Sequence, residues 1–161
     1  MSRVFIGLGS NLNQPVKQIK KAKLAINRLD GVEGIAFSSI YKSRPMGPQD
    51  QPDYFNAVME VAVTIEPLAL LDRLQAIEKD QGRVRQDARW GARSLDLDIL
   101  LYGGKIIEND RLVVPHYGIS DRPFVLYPLQ EISPSIDIPR LGSLADLIRK
   151  CSPDGLLKLG S

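Results

Sequence analysis

From Arg89 to Ile99 the chain reads Arg-Trp-Gly-Ala-Arg-Ser-Leu-Asp-Leu-Asp-Ile. Asp96 and Asp98 alternate with Leu95, Leu97 and Ile99, the two-residue period of a strand. That period puts both carboxylates on one face, roughly 7 Å apart along the strand, and turns the apolar residues into a core. Neighbouring carboxylates repel, so the pair calls for a divalent cation or a basic partner. Hard oxygen donors on a rigid element suit Mg²⁺, which keeps several waters and shares its shell with substrate phosphates. Just upstream, Arg83-Val-Arg85-Gln-Asp-Ala-Arg89-Trp90-Gly-Ala-Arg93 sets four arginines against one aspartate. Guanidinium groups bind phosphate in bidentate fashion. Together these residues point to phosphoryl-type transfer from a nucleotide.

Other residues break the local pattern in ways that suggest a cleft. On a helical projection of about 100° per residue, Gln75 and Glu78 fall within the stripe Leu68, Leu71, Leu74 and Ile77. A buried carboxylate costs several kcal/mol unless it is paired or hydrogen-bonded. Either the stripe is narrower than drawn, or this helix lines a polar cleft; the arginine segment that follows directly favours the cleft. Tyr54 and Asn56 share the face opposite Phe55, where Asn can read a heterocycle's edge and Tyr can stack on it. Alone, that pair would also suit an ordinary sheet face. His116 is the single histidine, and its neighbours Arg111 and Arg122 suit contact with an anion. Phe124, beside Pro123, is compatible with core packing.

The elements that must position these residues follow from periodicity. Arg3 to Leu8 reads as a strand. Pro15 opens a helix with Val16, Ile19, Ala22, Ile26 and Leu29 on one side and Lys17, Lys20, Lys21 and Arg28 on the wet side. Ile35 to Tyr41 is a second strand, and Ser43 to Asp53, with three prolines and a glycine, is a long binding loop or lid. Phe55 to Ile65 alternates as a strand, Pro67 opens the second helix, and Leu95 to Tyr102 is the carboxylate strand. Gly103-Gly104 then turns that strand toward Ile106-Ile107 as a hairpin. Val113-Val114 adds a short strand, and Ser143 caps a helix running to Lys150. This order predicts an α+β fold, a ferredoxin-like antiparallel sheet packed with helices plus an added hairpin.

The 161 residues are read as one domain, 1–161, with 43% hydrophobic and 25% charged residues, as in ordinary globular proteins. A net charge of +2 argues against a dedicated nucleic-acid binder. One cysteine excludes an internal disulfide and a cysteine-based zinc site. No leader and no apolar run of membrane-spanning length is read, so a reduced, cytoplasmic location without membrane contact is expected. Gly7-Leu-Gly9-Ser10-Asn11 has the outline of a dinucleotide fingerprint, but Leu12 takes the third glycine position and Asp30 follows a helix. Gly9-Ser10 with a later Asp-x-Asp is also the pattern of polymerase-beta-type nucleotidyltransferases, although there the two parts lie close together.

Five stretches together resemble the 6-hydroxymethyl-7,8-dihydropterin pyrophosphokinase family: Ile6–Leu12, Gly47–Asn56, Gln81–Arg85, Arg89–Asp98 and Val114–Tyr117. They run in family order over most of the chain. The resemblance implies transfer of the β,γ-diphosphate of ATP to the pterin hydroxymethyl group, with release of AMP, in folate biosynthesis. It implies two Mg²⁺ ions at Asp96 and Asp98, a pterin held by Ser43, Pro45, Met46, Tyr54, Asn56, Trp90 and Phe124, and a monomer. It further implies ATP contacts from Gln75, Glu78, Arg85, Trp90, Arg93, Ile99, Arg111, His116, Tyr117 and Arg122. Arg83 and Arg93 would engage the migrating phosphates. Ser43-Arg44-Pro45 departs from a Thr-Pro-Pro-like run, and Gln86 from a basic residue. The competing expectation is a non-catalytic ferredoxin-like module for nucleotide or RNA, which would have no need of Asp96 and Asp98.

Overall fold

Strand β1 (Ser2–Ser10) occupies the interior of the main sheet, antiparallel to β4 (Tyr54–Val63) on one side and to β5 (Asp96–Tyr102) on the other. The computed structural model describes residues 1–12, 14–44, 52–81 and 95–159. Two shorter strands, β2 (Val32–Phe37) and β3 (Tyr41–Ser43), pair with successive stretches of β4, and β10 (Leu157–Lys158) extends the edge beyond β3. Taking β2 and β3 as one interrupted strand gives the expected ferredoxin-like antiparallel order. The interruption is a correction to the continuous strand expected from Ile35 to Tyr41. At the break, Ser38 donates its N–H to Val58 O and accepts the Val58 N–H on Oγ, both at 2.9 Å. Its side chain stands in for a ladder group, so the chain can step sideways without stranding a buried amide.

Helices α1 (Pro15–Asn27) and α2 (Pro67–Asp80) cover one face of the sheet. Each opens on proline, whose fixed φ and missing N–H suit the first helical turn. Val4, Ile6 and Leu8 of β1 face these helices and join Ile19, Ala22, Ile26, Leu74 and Ile77 in one buried cluster. In α2 the buried side is Leu70, Leu71, Leu74, Ile77 and Glu78, whereas Leu68 is 39% exposed. The stripe is therefore rotated from the expected one. Helices α3 (Pro123–Ile132) and α4 (Leu144–Arg149) lie against the opposite face, over Phe5, Val58, Leu100 and Leu101. Ser143 caps α4 as expected, its Oγ accepting the Asp146 N–H at 3.2 Å.

Two features of β5 and its exit shape the site. The register against β1 slips between Phe5 and Ile6, a bulge that lets the consecutive residues Leu100 and Leu101 both enter the second cluster. The turn at Gly103, with φ +55°, forms as expected. However, the residues beyond it do not return along β5: the added hairpin is β6 (Ile107–Glu108) with β7 (Val113–Val114). A second small hairpin joins β8 (Asp137–Ile138) to β9 (Gly142–Ser143). Among the described residues no helix is long and apolar enough to cross a membrane.

Candidate active site

Helix α3 covers only part of its face of the sheet, and the uncovered part is a cleft of about 230 Å³. Its floor comes from the alternation of β1. Gly7 and Gly9 point to this face, with Gly9 between Asn56 of β4 and Asp96 of β5, and Gly7 between Val58 and Asp98. Two missing side chains in the middle strand leave room above the sheet, flanked by an amide on one side and two carboxylates on the other. A Cβ on Gly9 would come within 2.6 Å of Asn56 Nδ2, so the glycine is what allows the amide to lie over the strand. Asn56 Oδ1 is buried and has no hydrogen-bond partner among the described residues. A buried polar group in that state costs about 1–3 kcal/mol, which a bound ligand can recover.

Ser43, Arg44 and Tyr54 come from the β3–β4 side of the cleft and Asp96 and Asp98 from β5 across β1, and His116, Arg122, Phe124 and Val125 line it as well. His116 Nδ1 accepts the Gly118 N–H at 3.0 Å, so in the neutral ring the proton is on Nε2. That nitrogen lies 4.0 Å from Asp98 Oδ2, too far for a direct hydrogen bond. Burial, and then the charge of Arg122, lower the His116 pKa, so the ring enters neutral solution as an uncharged donor. Its face stacks on Tyr117, with centroids 4.5 Å apart. The Arg122 guanidinium lies 5.4 Å from the Tyr117 ring and 5.8 Å from the Phe124 ring. It crosses Gly118, where any Cβ would come within 2.4 Å of its Nε.

Asp98 keeps half of its side chain exposed, while Leu97 and Ile99 are buried beneath the sheet, as the two-residue period requires. Two carboxylates and no soft donor fit a hard cation such as Mg²⁺. Among the described residues no group of three or more His, Cys, Asp or Glu side chains is arranged around a metal position. A cation at the pair would therefore complete its shell with water and phosphate oxygens.

The structure brings Ser43, Tyr54, Asn56, Asp96, Asp98, His116, Arg122 and Phe124 into one cleft. Tyr117 adjoins it through the stack and is 78% exposed. Gln75 and Arg111 do not line it: Arg111 pairs with Asp72 at 2.5 Å and donates to Gln75 Oε1 at 3.3 Å, on the exposed side of α2. Of the two polar residues expected inside the α2 stripe, only Glu78 is buried, and its Oε2 accepts the Leu97 N–H at 2.8 Å. It thus fixes the main chain between the two aspartates. The Ile99 side chain lies in the core, so a contact from this residue to a nucleotide falls to its main chain. Pro45, Met46, Arg83, Arg85, Trp90 and Arg93 lie outside the described residues. Arg44, within the stretch around Ser43 to Met46 expected at the pterin edge, also lines the cleft, whereas Gly7 and Gly9 were not expected as cleft residues. The signal for the glycines was their two-residue spacing on a strand destined to lie beside the carboxylates.

An antiparallel α+β domain with a carboxylate pair beside a polar cleft fits an enzyme of the phosphoryl-transfer class. The family model for 7,8-dihydro-6-hydroxymethylpterin-pyrophosphokinase matches residues 5–134. A 2-amino-4-hydroxy-6-hydroxymethyldihydropteridine pyrophosphokinase of Haemophilus influenzae is 49% identical over 159 residues, 99% of each chain. One of Pseudomonas aeruginosa is 46% identical over 159 residues, covering 99% of this chain and 98% of the relative. A crystal structure of HPPK-DHPS in complex with substrates superposes with a TM-score of 0.71 at 13% identity. The match covers 93% of this chain but 45% of that one, so the fold corresponds to less than half of the larger protein. Wild-type Plasmodium falciparum HPPK-DHPS with pteroate gives 0.71 at 14% identity, over 92% of this chain and 42% of that one. The chain belongs to the 7,8-dihydro-6-hydroxymethylpterin-pyrophosphokinase family. It is an ATP-dependent pyrophosphokinase that transfers the pyrophosphoryl group of ATP to hydroxymethyldihydropterin in folate biosynthesis.

Proposed function

We propose that the transfer takes place above the Gly7–Gly9 floor, with the pterin at the Asn56 end and the phosphates at the Asp96–Asp98 end. The observation that carries this reading is the buried Asn56 Oδ1, without a partner among the described residues, in the same cleft as the carboxylate pair. The aminopyrimidinone edge of a pterin offers donors and acceptors side by side, the complement of a carboxamide. Tyr54 and Phe124 supply flat apolar faces for the ring, Ser43 lines the cleft beside them, and the resemblance gives Pro45 and Met46 to the edge of the pterin.

The hydroxymethyl oxygen of the pterin bonds to the β-phosphorus of ATP, and the oxygen bridging the α- and β-phosphorus leaves with AMP. The hydroxyl proton is released as the ester forms. Asp96 and Asp98 would hold two Mg²⁺ ions, which supply positive charge where the phosphate oxygens gather negative charge. The neutral His116 donates Nε2–H toward the phosphates without adding charge. Arg122, laid along Tyr117 and Phe124, offers a guanidinium where the two substrates meet. Of the residues that the resemblance gives to the nucleotide, Glu78 acts by holding Leu97 in place, Ile99 through its main chain and Tyr117 through its stack on His116. Gln75 and Arg111, bound to each other outside the cleft, take the part of the nucleotide that extends beyond it, and Arg85 and Trp90 are assigned to the same substrate. The resemblance also gives Trp90 to the pterin, and Arg83 and Arg93 to the migrating group. The whole chain, 1–161, acts as one cytoplasmic, monomeric domain. The test is product analysis: AMP and pterin diphosphate should form in equal amounts, and Asp96→Asn or Asp98→Asn should abolish both in a folded protein. Near-normal turnover in either variant would contradict the assignment.

A further inference from the structure

The Glu131 carboxylate, near the C-terminal end of α3, takes more hydrogen bonds than any role in the transfer chemistry requires. It accepts from the Ser39 N–H at 3.0 and 3.1 Å, from Ser39 Oγ at 2.9 Å and from the Tyr41 hydroxyl at 2.7 Å. These donors sit where β2 has ended and β3 begins, about 90 residues earlier in the chain. Tyr41 is buried and stands opposite Asn56 in the β3–β4 register, two residues before Ser43. Glu131 also lies seven residues after Phe124. Two helical turns separate them, so both project from one side of α3, roughly 10 Å apart along its axis. Between them, Pro128 lies inside the helix and has no N–H to give the carbonyl of Phe124. The helix is least self-supporting at the end that lines the cleft.

We infer that Glu131 is a positioning residue for the pterin end of the cleft, tying α3 to β3 so that Phe124 is held at a fixed separation from Ser43 and Asn56. Because β3 has only three residues and follows a break, its pairing alone fixes it weakly against the helix. The carboxylate supplies the missing constraint on rotation and tilt. Burial opposes the charge on Glu131, but the bonds from Tyr41 and Ser39 outweigh it and hold its pKa below the ordinary value. The brace therefore stays charged at neutral pH.

The proposal rests on the reading that Phe124 marks the pterin end, so both are tested in one assay with Phe124→Ala, Glu131→Ala, Glu131→Gln and Tyr41→Phe. Glu131→Ala should raise the KM for the reduced pterin about tenfold, the result expected if α3 without its tie holds the pterin-binding position about a tenth of the time. Its kcat and its affinity for an unreactive MgATP analogue should stay unchanged. Glu131→Gln, which keeps an acceptor, should recover most of the loss. Adding Tyr41→Phe to Glu131→Ala should make matters no worse, since the two share one interaction. If Glu131→Ala does not fold, Tyr41→Phe reads the same bond with the carboxylate in place. A lowered Tm with unchanged pterin KM would reduce Glu131 to a structural residue and overturn the proposal. If Phe124→Ala shifts the pterin KM and the brace variants do not, the brace alone fails. If Phe124→Ala leaves it unchanged, the pterin end lies elsewhere and both readings fall.

Discussion

Gly9→Ala should damage pterin binding while sparing the fold. The new methyl would stand 2.6 Å from Asn56 Nδ2, whereas the nearest main-chain atom, Phe55 O, is 3.8 Å away. A contact that short cannot persist, and the carboxamide is the part free to swing. Its displacement would cost the two hydrogen bonds proposed between the amide and a pterin edge. At about 0.5–1.5 kcal/mol each, the loss is about 1–3 kcal/mol, or roughly 5- to 150-fold in affinity. Stability should change by less than about 1 kcal/mol, because alanine is a better strand residue than glycine. Gly7→Ala is the internal comparison, since its Cβ would make only an ordinary 3.5 Å contact with Leu100. Calorimetric titration with reduced pterin, and separately with an unreactive MgATP analogue, reads both ends. The reasoning is refuted if Gly9→Ala binds pterin normally, or if it weakens pterin and nucleotide alike.

Phe124→Ala should weaken pterin by at least about tenfold through lost stacking and apolar contact, with nucleotide affinity retained; equal losses would place Phe124 in the core. Glu78→Ala would strand the buried Leu97 N–H and lower stability by about 1–3 kcal/mol, seen as a fall in Tm of several degrees; an unchanged Tm would contradict that role. Glu131 has a folded pKa below its ordinary value of 4.5, so its contribution is present above that range and lost as pH falls through the folded value. Glu131→Gln should accordingly flatten the stability profile in acid and leave its slope near neutrality alone, as followed by denaturant unfolding. Trp90, the one tryptophan, should change its emission in the ternary complex and little with pterin alone; a constant spectrum would argue against closure of its segment over the site.

The carboxylate strand was legible because a two-residue period fixes which side chains share a face, and Asp96 and Asp98 do share one. The phase of α2 was not. Leu68, Leu70, Leu71 and Leu74 permit two stripes, and packing against the sheet chose the one that buries Leu70 and exposes Leu68. That rotation also decided that Glu78 enters the interior and Gln75 does not. Helix α3 escaped notice because Pro128 lies in its interior, a helix-breaking signal out of context. The hairpin was misplaced because Gly103-Gly104 marks a turn but not the partner of the strand beyond it. Glu131 could not be found from sequence at all, since its partners Ser39 and Tyr41 are brought to it only by the fold.

The central claim is that one cleft has a pterin end at Asn56 and a phosphate end at Asp98. The most direct test measures the affinities for reduced pterin and for the MgATP analogue in Asn56→Ala and Asp98→Asn side by side. Asn56→Ala should lose pterin binding and keep the nucleotide, and Asp98→Asn should lose Mg²⁺-dependent nucleotide binding and keep the pterin. The same loss profile in both variants, or the reverse assignment, would contradict the account.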